Sequence, residues 1–257
     1  MTDLATIAQH LDQLLATDAV PDYNGALNGI QLEHRGPVRR VAASVDISRR
    51  VIEETIRADA NLLIVHHGMF WSGAQRIVGS VYDRVRQLIE HDIAVYSSHL
   101  PLDRHDTLGN NVLLAQTLGL TATGGFASYK GLDIGIRGEC DINTTALLQR
   151  ADAFARTHGG GARSSLVPDR HRTHRWAICT GAGASSETLN EAHAVGIDTL
   201  IVGEGPHHTA VAAEDLGLVV IYAGHYATET LGVRAVADHL TTTFGIPSVF
   251  VAAPTGL

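Results

Sequence analysis

Lysine is almost missing from this chain. Lys130 is the one lysine, and Lys plus Arg number 19 against 27 Asp plus Glu, for a formal charge of −8. Such a balance argues against a nucleic-acid partner gripped by its phosphates. There is no P-loop pattern either, so any phosphate would have to be met by Arg, His and backbone groups. Cysteine is equally scarce: Cys140 and Cys179 stand far apart with no CxxC pairing. That spacing offers no thiolate cage for structural zinc and reads as two buried free thiols in a reducing cytoplasm. No apolar run approaches the roughly 18 residues needed to span a membrane. The N-terminus lacks the basic start and unbroken apolar segment of a signal peptide. Leu4, Ile7, Ala8, Leu11, Leu14 and Leu15 instead recur at helical spacing, broken by Asp3, Gln9 and Asp12. They predict an amphipathic helix of a cytoplasmic protein.

What remains is ordinary globular material, 45% hydrophobic and 18% charged over 257 residues, enough for one large or two small domains. Short apolar runs at 38–47, 61–67, 93–99, 132–140, 175–181, 199–205, 218–225 and 248–253 read as strands. Segments with apolar residues three and four apart separate them, so the pattern predicts an α/β fold with helices covering the sheets. The stretch 157–175, rich in Gly, Ser and charge, reads as a loop in which His158, His171 and His174 are solvated.

The chain also repeats itself. VAASVDISRRVIEETIRADANLLIVHHG and WAICTGAGASSETLNEAHAVGIDTLIVGEG both give strand, small-residue turn, helix, apolar strand and a polar pair before Gly. Each continues through a helix to a strand ending in histidine, IAVYSSHLPLD and LVVIYAGHYATE. Two similar, interlocked α/β halves follow, 1–125 and 126–257, with His99 matched to His225 and Asp103 to Glu229.

Histidine is the abundant chemistry, with fifteen residues. His66 and His67 sit together before Gly68, although neighbours in a strand point to opposite faces. HLPLD and HYATE are both His-x3-acid at a strand's carboxyl end, the edge where open α/β sheets bind ligands. Singly each has a plain reading: strand-end histidines, an Asp103 helix cap, a Glu229 favoured by the helix dipole. Together, His66, His67, Asp103, His225 and Glu229 offer three nitrogens and two carboxylates, a set suited to Zn, Mn, Fe or Ni. That is rich for one ion and fits two, which about 3.5–4 Å apart activate water and stabilise a developing oxyanion. His99 is either a ligand or a group that orients one. Glu204 stands in the repeat where His67 does, and His207 and His208 just beyond it either line the cleft as acid–base groups or form a solvent-facing helix start. Met69–Trp71 are assigned to packing or to the wall of the cleft.

NGIQLE (28–33), LLIVHHGMFW (62–71), YSSHLPLD (96–103), VGEGPHH (202–208) and GHYATETLGV (224–233) resemble, in order and over nearly the whole chain, the dinuclear-metal family related to the yeast NGG-interacting factor three. Members are often labelled GTP cyclohydrolase I type 2 homologues. The resemblance implies two α/β halves around a cleft, metal ligands at the five residues above, and a toroidal homohexamer. The middle segment is too short for the inserted domain of longer members, so the chain resembles the compact form. RHDTLGNN departs from the common family pattern, which bears on the substrate pocket. Two functions are expected: a metal-dependent hydrolase of a small, nucleotide-like substrate, with Glu229, His99 and His208 as catalytic candidates, or a non-catalytic metal-binding scaffold.

Overall fold

The computed structural model describes residues 2–168 and 170–256; Met1, Leu257 and Asp169 of the expected loop lie outside the described residues. The chain begins with α1 (Leu4–Leu14), β1 (Gly29–Leu32), β2 (Val41–Asp46), α2 (Arg49–Arg57), β3 (Leu62–His67), α3 (Ser80–Glu90), β4 (Ala94–Ser97) and the single turn α4 (Leu100–Asp103). It continues with α5 (Asn110–Leu118), β5 (Ala122–Tyr129), β6 (Leu132–Asn143), α6 (Thr144–Thr157), β7 (Arg163–Ser164) and β8 (Arg172–Cys179). It ends with α7 (Ser186–Ala194), β9 (Thr199–Val202), α8 (His207–Asp215), β10 (Val219–Tyr222), α9 (His225–Phe244) and β11 (Ser248–Phe250).

These elements pack as two units, 2–102 with 232–253 and 103–231 with 254–256. The division expected at residue 125 falls inside β5, whereas the observed boundary lies at Leu102–Asp103. The chain re-enters unit 1 at Gly232 because β11 pairs parallel with β2, Ser248 opposite Val41, and completes the first sheet.

Unit 1 holds a sheet of order β1-β4-β3-β2-β11, parallel except for β1. β2, β3 and β4 are buried along nearly their whole length, and parallel strands covered on both faces read as apolar runs without alternation. Helix α2 starts at Ser48, whose hydroxyl accepts from the Val51 N–H at 3.3 Å. It lays Val51 and Ile52 on Ala42, Leu63, Val65 and Val95. Helix α1 is capped by Asp3 and buries Leu4, Ile7, Ala8 and Leu11.

Unit 2 holds a sheet of order β5-β6-β8-β9-β10-β7. Strand β8 shows the period of two: Trp176 and Ile178 meet Leu114, Leu147 and Phe154 on one face, while Ala177 and Cys179 meet Leu189, Leu200 and Ala213 on the other. The β5–β6 hairpin turns at Lys130 (φ 49°) and Gly131 (φ 86°), two successive left-handed residues as a tight two-residue turn requires. The segment expected to be a loop contributes β7, antiparallel to β10, and the start of β8. His171 there is within hydrogen-bond distance of the Thr144 hydroxyl at 2.8 Å, and is not simply solvated.

Both units contain a parallel βαβαβ core, β2–α2–β3–α3–β4 and β8–α7–β9–α8–β10. The internal repeat is thus structural, and in each core the last strand delivers the chain to His99 or His225. Among the described residues no helix is long and apolar enough to cross a membrane.

Candidate metal centre

In unit 1, β3 carries His66 and His67 to its end. His66 is fully buried, and its Nδ1 lies 2.8 Å from the Ser98 carbonyl oxygen. His67 lies across from Asp46 in the β2–β3 register, with its Nδ1 2.9 Å from the Asp46 carboxylate. His99 follows β4, is buried, and sets its Nδ1 2.9 Å from Asp22 Oδ1. The rings converge despite the strand's alternation: ring centres are 4.9 Å apart for His66 and His67 and 4.8 Å for His66 and His99. One potential ligand nitrogen from each of the three lies within 4.8 Å of the others.

The Asp22 carboxylate is itself well held. Its Oδ2 accepts from Asn28 Nδ2 at 2.8 Å and Leu100 N at 2.9 Å, and its Oδ1 also accepts from Tyr23 N at 2.7 Å. Burial pushes its pKa up, but the His99 contact and these donors outweigh it and hold the carboxyl below its ordinary value.

In unit 2, β10 ends at Tyr222 and His225 opens α9. Its Nδ1 lies 2.8 Å from Glu204 Oε1 and its Nε2 3.1 Å from Glu229 Oε2, one helical turn on. Burial alone would lower the His225 pKa; the contacts with Glu229 and Glu204 overcome it and raise it to about 9. Glu229 is buried against Gly181, which has φ +64° and whose missing Cβ would collide with the Glu229 carboxylate. Asp103 is also buried and accepts from Asn110 Nδ2 at 2.8 Å and from the Thr180 hydroxyl at 3.3 Å. Asn111 ties this corner together, donating to the Asp103 carbonyl at 2.9 Å and accepting from Thr180 N at 3.0 Å. Asp103 and Glu229 therefore flank the Thr180–Gly181 turn.

The donor chemistry fits a divalent ion. All four histidines turn Nδ1 to an oxygen that can only accept, a carbonyl or a carboxylate, so Nδ1 carries the proton. A ring anchored this way turns Nε2 away from its anchor, the arrangement by which carbonyls and carboxylates orient metal-binding histidines; on His225 the Nε2 proton faces Glu229 and must leave before an ion binds there. Cys179, the last residue of β8, stays a thiol: burial, then the charges of Asp103, Glu191 and Glu229, pushes its pKa up to about 12.

His66, His67 and His99 are thus gathered in unit 1, and His225, Glu229 and Asp103 line one region of unit 2. Glu204 serves as the carboxylate behind His225. His207 and His208 are exposed in the first turn of α8. Sequence reasoning missed Asp22, Asp46, Asn110, Asn111 and Thr180, none of which would touch an ion directly. Asp46 closes a predicted strand and the Asn pair follows Asp103 closely, which are the available signals.

The Duf34/NIF3 (NGG1p interacting factor 3) family model matches residues 2–255. The chain is 38% identical to the Deinococcus radiodurans protein named GTP cyclohydrolase 1 type 2 homolog, over 98% of this chain and 93% of that one. Identity to the Pyrococcus horikoshii protein of the same name is 38%, over 99% of this chain and 100% of the relative. Among solved structures, a Thermus thermophilus protein, TTHA1606, superposes with a TM-score of 0.83 at 33% identity, covering 100% of both chains. This chain belongs to the Duf34/NIF3 family.

Proposed function

We propose that the protein is a metal-dependent hydrolase of a small, nucleotide-like substrate, with two divalent ions held by His66, His67, Asp103, His225 and Glu229. The observation that carries this reading is the shared anchoring: four histidines each hold a carbonyl or carboxylate oxygen through Nδ1, which points Nε2 the other way. When bound, such ions lower the pKa of water and polarise a carbonyl or phosphoryl oxygen.

The chain's own groups supply the rest. Ser98, Asp46 and Glu204 fix the rings of His66, His67 and His225. Asp103 and Glu229 bring the negative charge that offsets the desolvation of a dicationic site in a buried place. His99, held through Nδ1 by Asp22, presents Nε2 as the proton acceptor or donor of the reaction. The printed name of the relatives, GTP cyclohydrolase 1 type 2 homolog, supports a nucleotide as the first substrate to try.

Protein reconstituted with Mn, Fe or Zn should release product from GTP or from a panel of phosphoesters, and Glu229→Gln should not. Equal inertness of both proteins across the panel, with metal bound in the wild type, would favour a non-catalytic metal-binding role.

A further inference from the structure

Two large aromatic side chains stand against the unit 1 histidines with no part in holding a metal. Tyr23 is 50% exposed and Trp71 42%. Both nevertheless touch imidazoles: the Trp71 ring centre lies 4.6 Å from that of His99 and 4.8 Å from that of His67, and Tyr23 lies 5.9 Å from His99. A single exposed aromatic residue is commonplace. Two of them, placed half out of water beside candidate metal-binding rings, call for a use.

Their placement is built by the backbone. The Tyr23 N–H donates to Asp22 Oδ1, the same oxygen that meets the His99 ring. A Cβ on Gly25 would stand 2.5 Å from the Trp71 carbonyl oxygen, so the loop carrying Tyr23 packs directly on the backbone carrying Trp71. Gln31 staples the two loops: its amide nitrogen donates to the Ala26 and Leu27 carbonyls at 3.0 Å, and its amide oxygen accepts from Met69 N at 2.7 Å. The backbone that carries both aromatic rings is thereby held in place while much of the ring surface stays exposed, which removes part of the ordering cost of binding. Met69 packs on the unit 1 core, so of the Met69–Trp71 tail only part is packing.

We propose that Tyr23 and Trp71 form a stacking platform for a planar heteroaromatic ring of the substrate, set down beside His67 and His99. The inference rests on the metal-hydrolase reading of those histidines and names the part of the substrate that the platform takes. The two rings meet at 73° with centres 6.3 Å apart, so no flat slot exists for a guest between them. The guest ring lies on the open face of one aromatic with the other along its edge, the offset and edge-to-face geometries that π systems favour. Such stacking accepts any nucleobase because each has a π-face.

Trp71 reports on its own occupancy. The chain has two tryptophans, and Trp176 is fully buried, so quenching by an added ligand or by acrylamide reads Trp71. Zinc-loaded full-length protein is titrated with AMP, GMP, CMP and UMP, and with ribose 5-phosphate as the same sugar and phosphate without a ring. At least one nucleotide should quench Trp71 and shield it from acrylamide, and ribose 5-phosphate should do neither. Tyr23→Ala should weaken that nucleotide about tenfold while Tyr23→Phe retains it within about twofold, as loss or retention of a stacked ring predicts. The proposal is overturned if ribose 5-phosphate acts like the nucleotides, if none of the four nucleotides quenches, or if Tyr23→Ala binds as wild type does. Metal content measured on the same samples separates the two readings. Metal without stacking removes the platform alone, and stacking without metal removes the metal reading alone.

Discussion

The two parallel cores deliver histidine to the same topological position but surround it with different side chains. Unit 1 supplies three imidazoles, His66, His67 and His99, each backed by a carbonyl or carboxylate. Unit 2 supplies one imidazole, His225, in contact with Glu204 and Glu229, with Asp103 against the neighbouring turn. Where the repeat puts His67 in unit 1, unit 2 has Glu204, and that residue anchors a ring. One supersecondary frame thus carries two different sets of side chains at the same strand end, imidazoles in unit 1 and mainly carboxylates in unit 2.

Removing charge from one unit separates the two roles. Glu229→Gln should weaken metal binding by more than about 100-fold, because loss of an orienting partner alone typically costs about 10–100-fold and Glu229 is proposed to be a ligand. Competition with a chelating indicator measures it. Asp46→Asn in unit 1 and Glu204→Gln in unit 2 should each cost about 10–100-fold, since both orient a ring without touching the ion. A Glu204→Gln loss as large as that of Glu229→Gln would show that the two carboxylates share one role.

Gly181→Ala sharpens the unit 2 side. The new methyl would need a left-handed backbone and would strike the Glu229 carboxylate. Urea unfolding should report a loss of about 1–3 kcal/mol from the backbone strain, with metal affinity falling in parallel.

The smallest effect is a pH dependence carried by His225 in unit 2. With its pKa raised to about 9 in the metal-free protein, His225 contributes stability that is fully present below its ordinary value near 6.5. That contribution is lost as pH rises through about 9. Histidine ring resonances followed by NMR should place one imidazole there. Metal must displace that proton, so calorimetry at neutral pH in buffers of different ionisation enthalpy should detect its release on binding.

Much of this was legible in the residues. Apolar runs bounded by small residues gave β2, β3, β8, β9 and β10 because parallel strands bury both faces, and the repeat announced the two cores. The antiparallel additions were harder. ATGGFASY carries two glycines and no alternation, so β5 is held as a strand by its pairing with β6, not by local preference. Arg163–Ser164 becomes β7 only because β10 has an edge to cover. The unit boundary was hidden for a similar reason, since β11 belongs to the first sheet through a pairing some two hundred residues away in sequence. At the site, the donors could be read from HHG, HLPLD and HYATE, whereas the anchors could not. Asp22 reaches His99, and Asn111 reaches Thr180, by tertiary contacts that no spacing encodes.

Anomalous diffraction decides whether His66, His67, Asp103, His225 and Glu229 hold the two divalent ions proposed for them. Crystals equilibrated with saturating zinc should give two anomalous peaks per chain at the zinc edge, within about 2.0–2.2 Å of the Nε2 atoms and carboxylate oxygens of those residues. Saturating zinc with no peak at bonding distance from these side chains would rule out the dinuclear site.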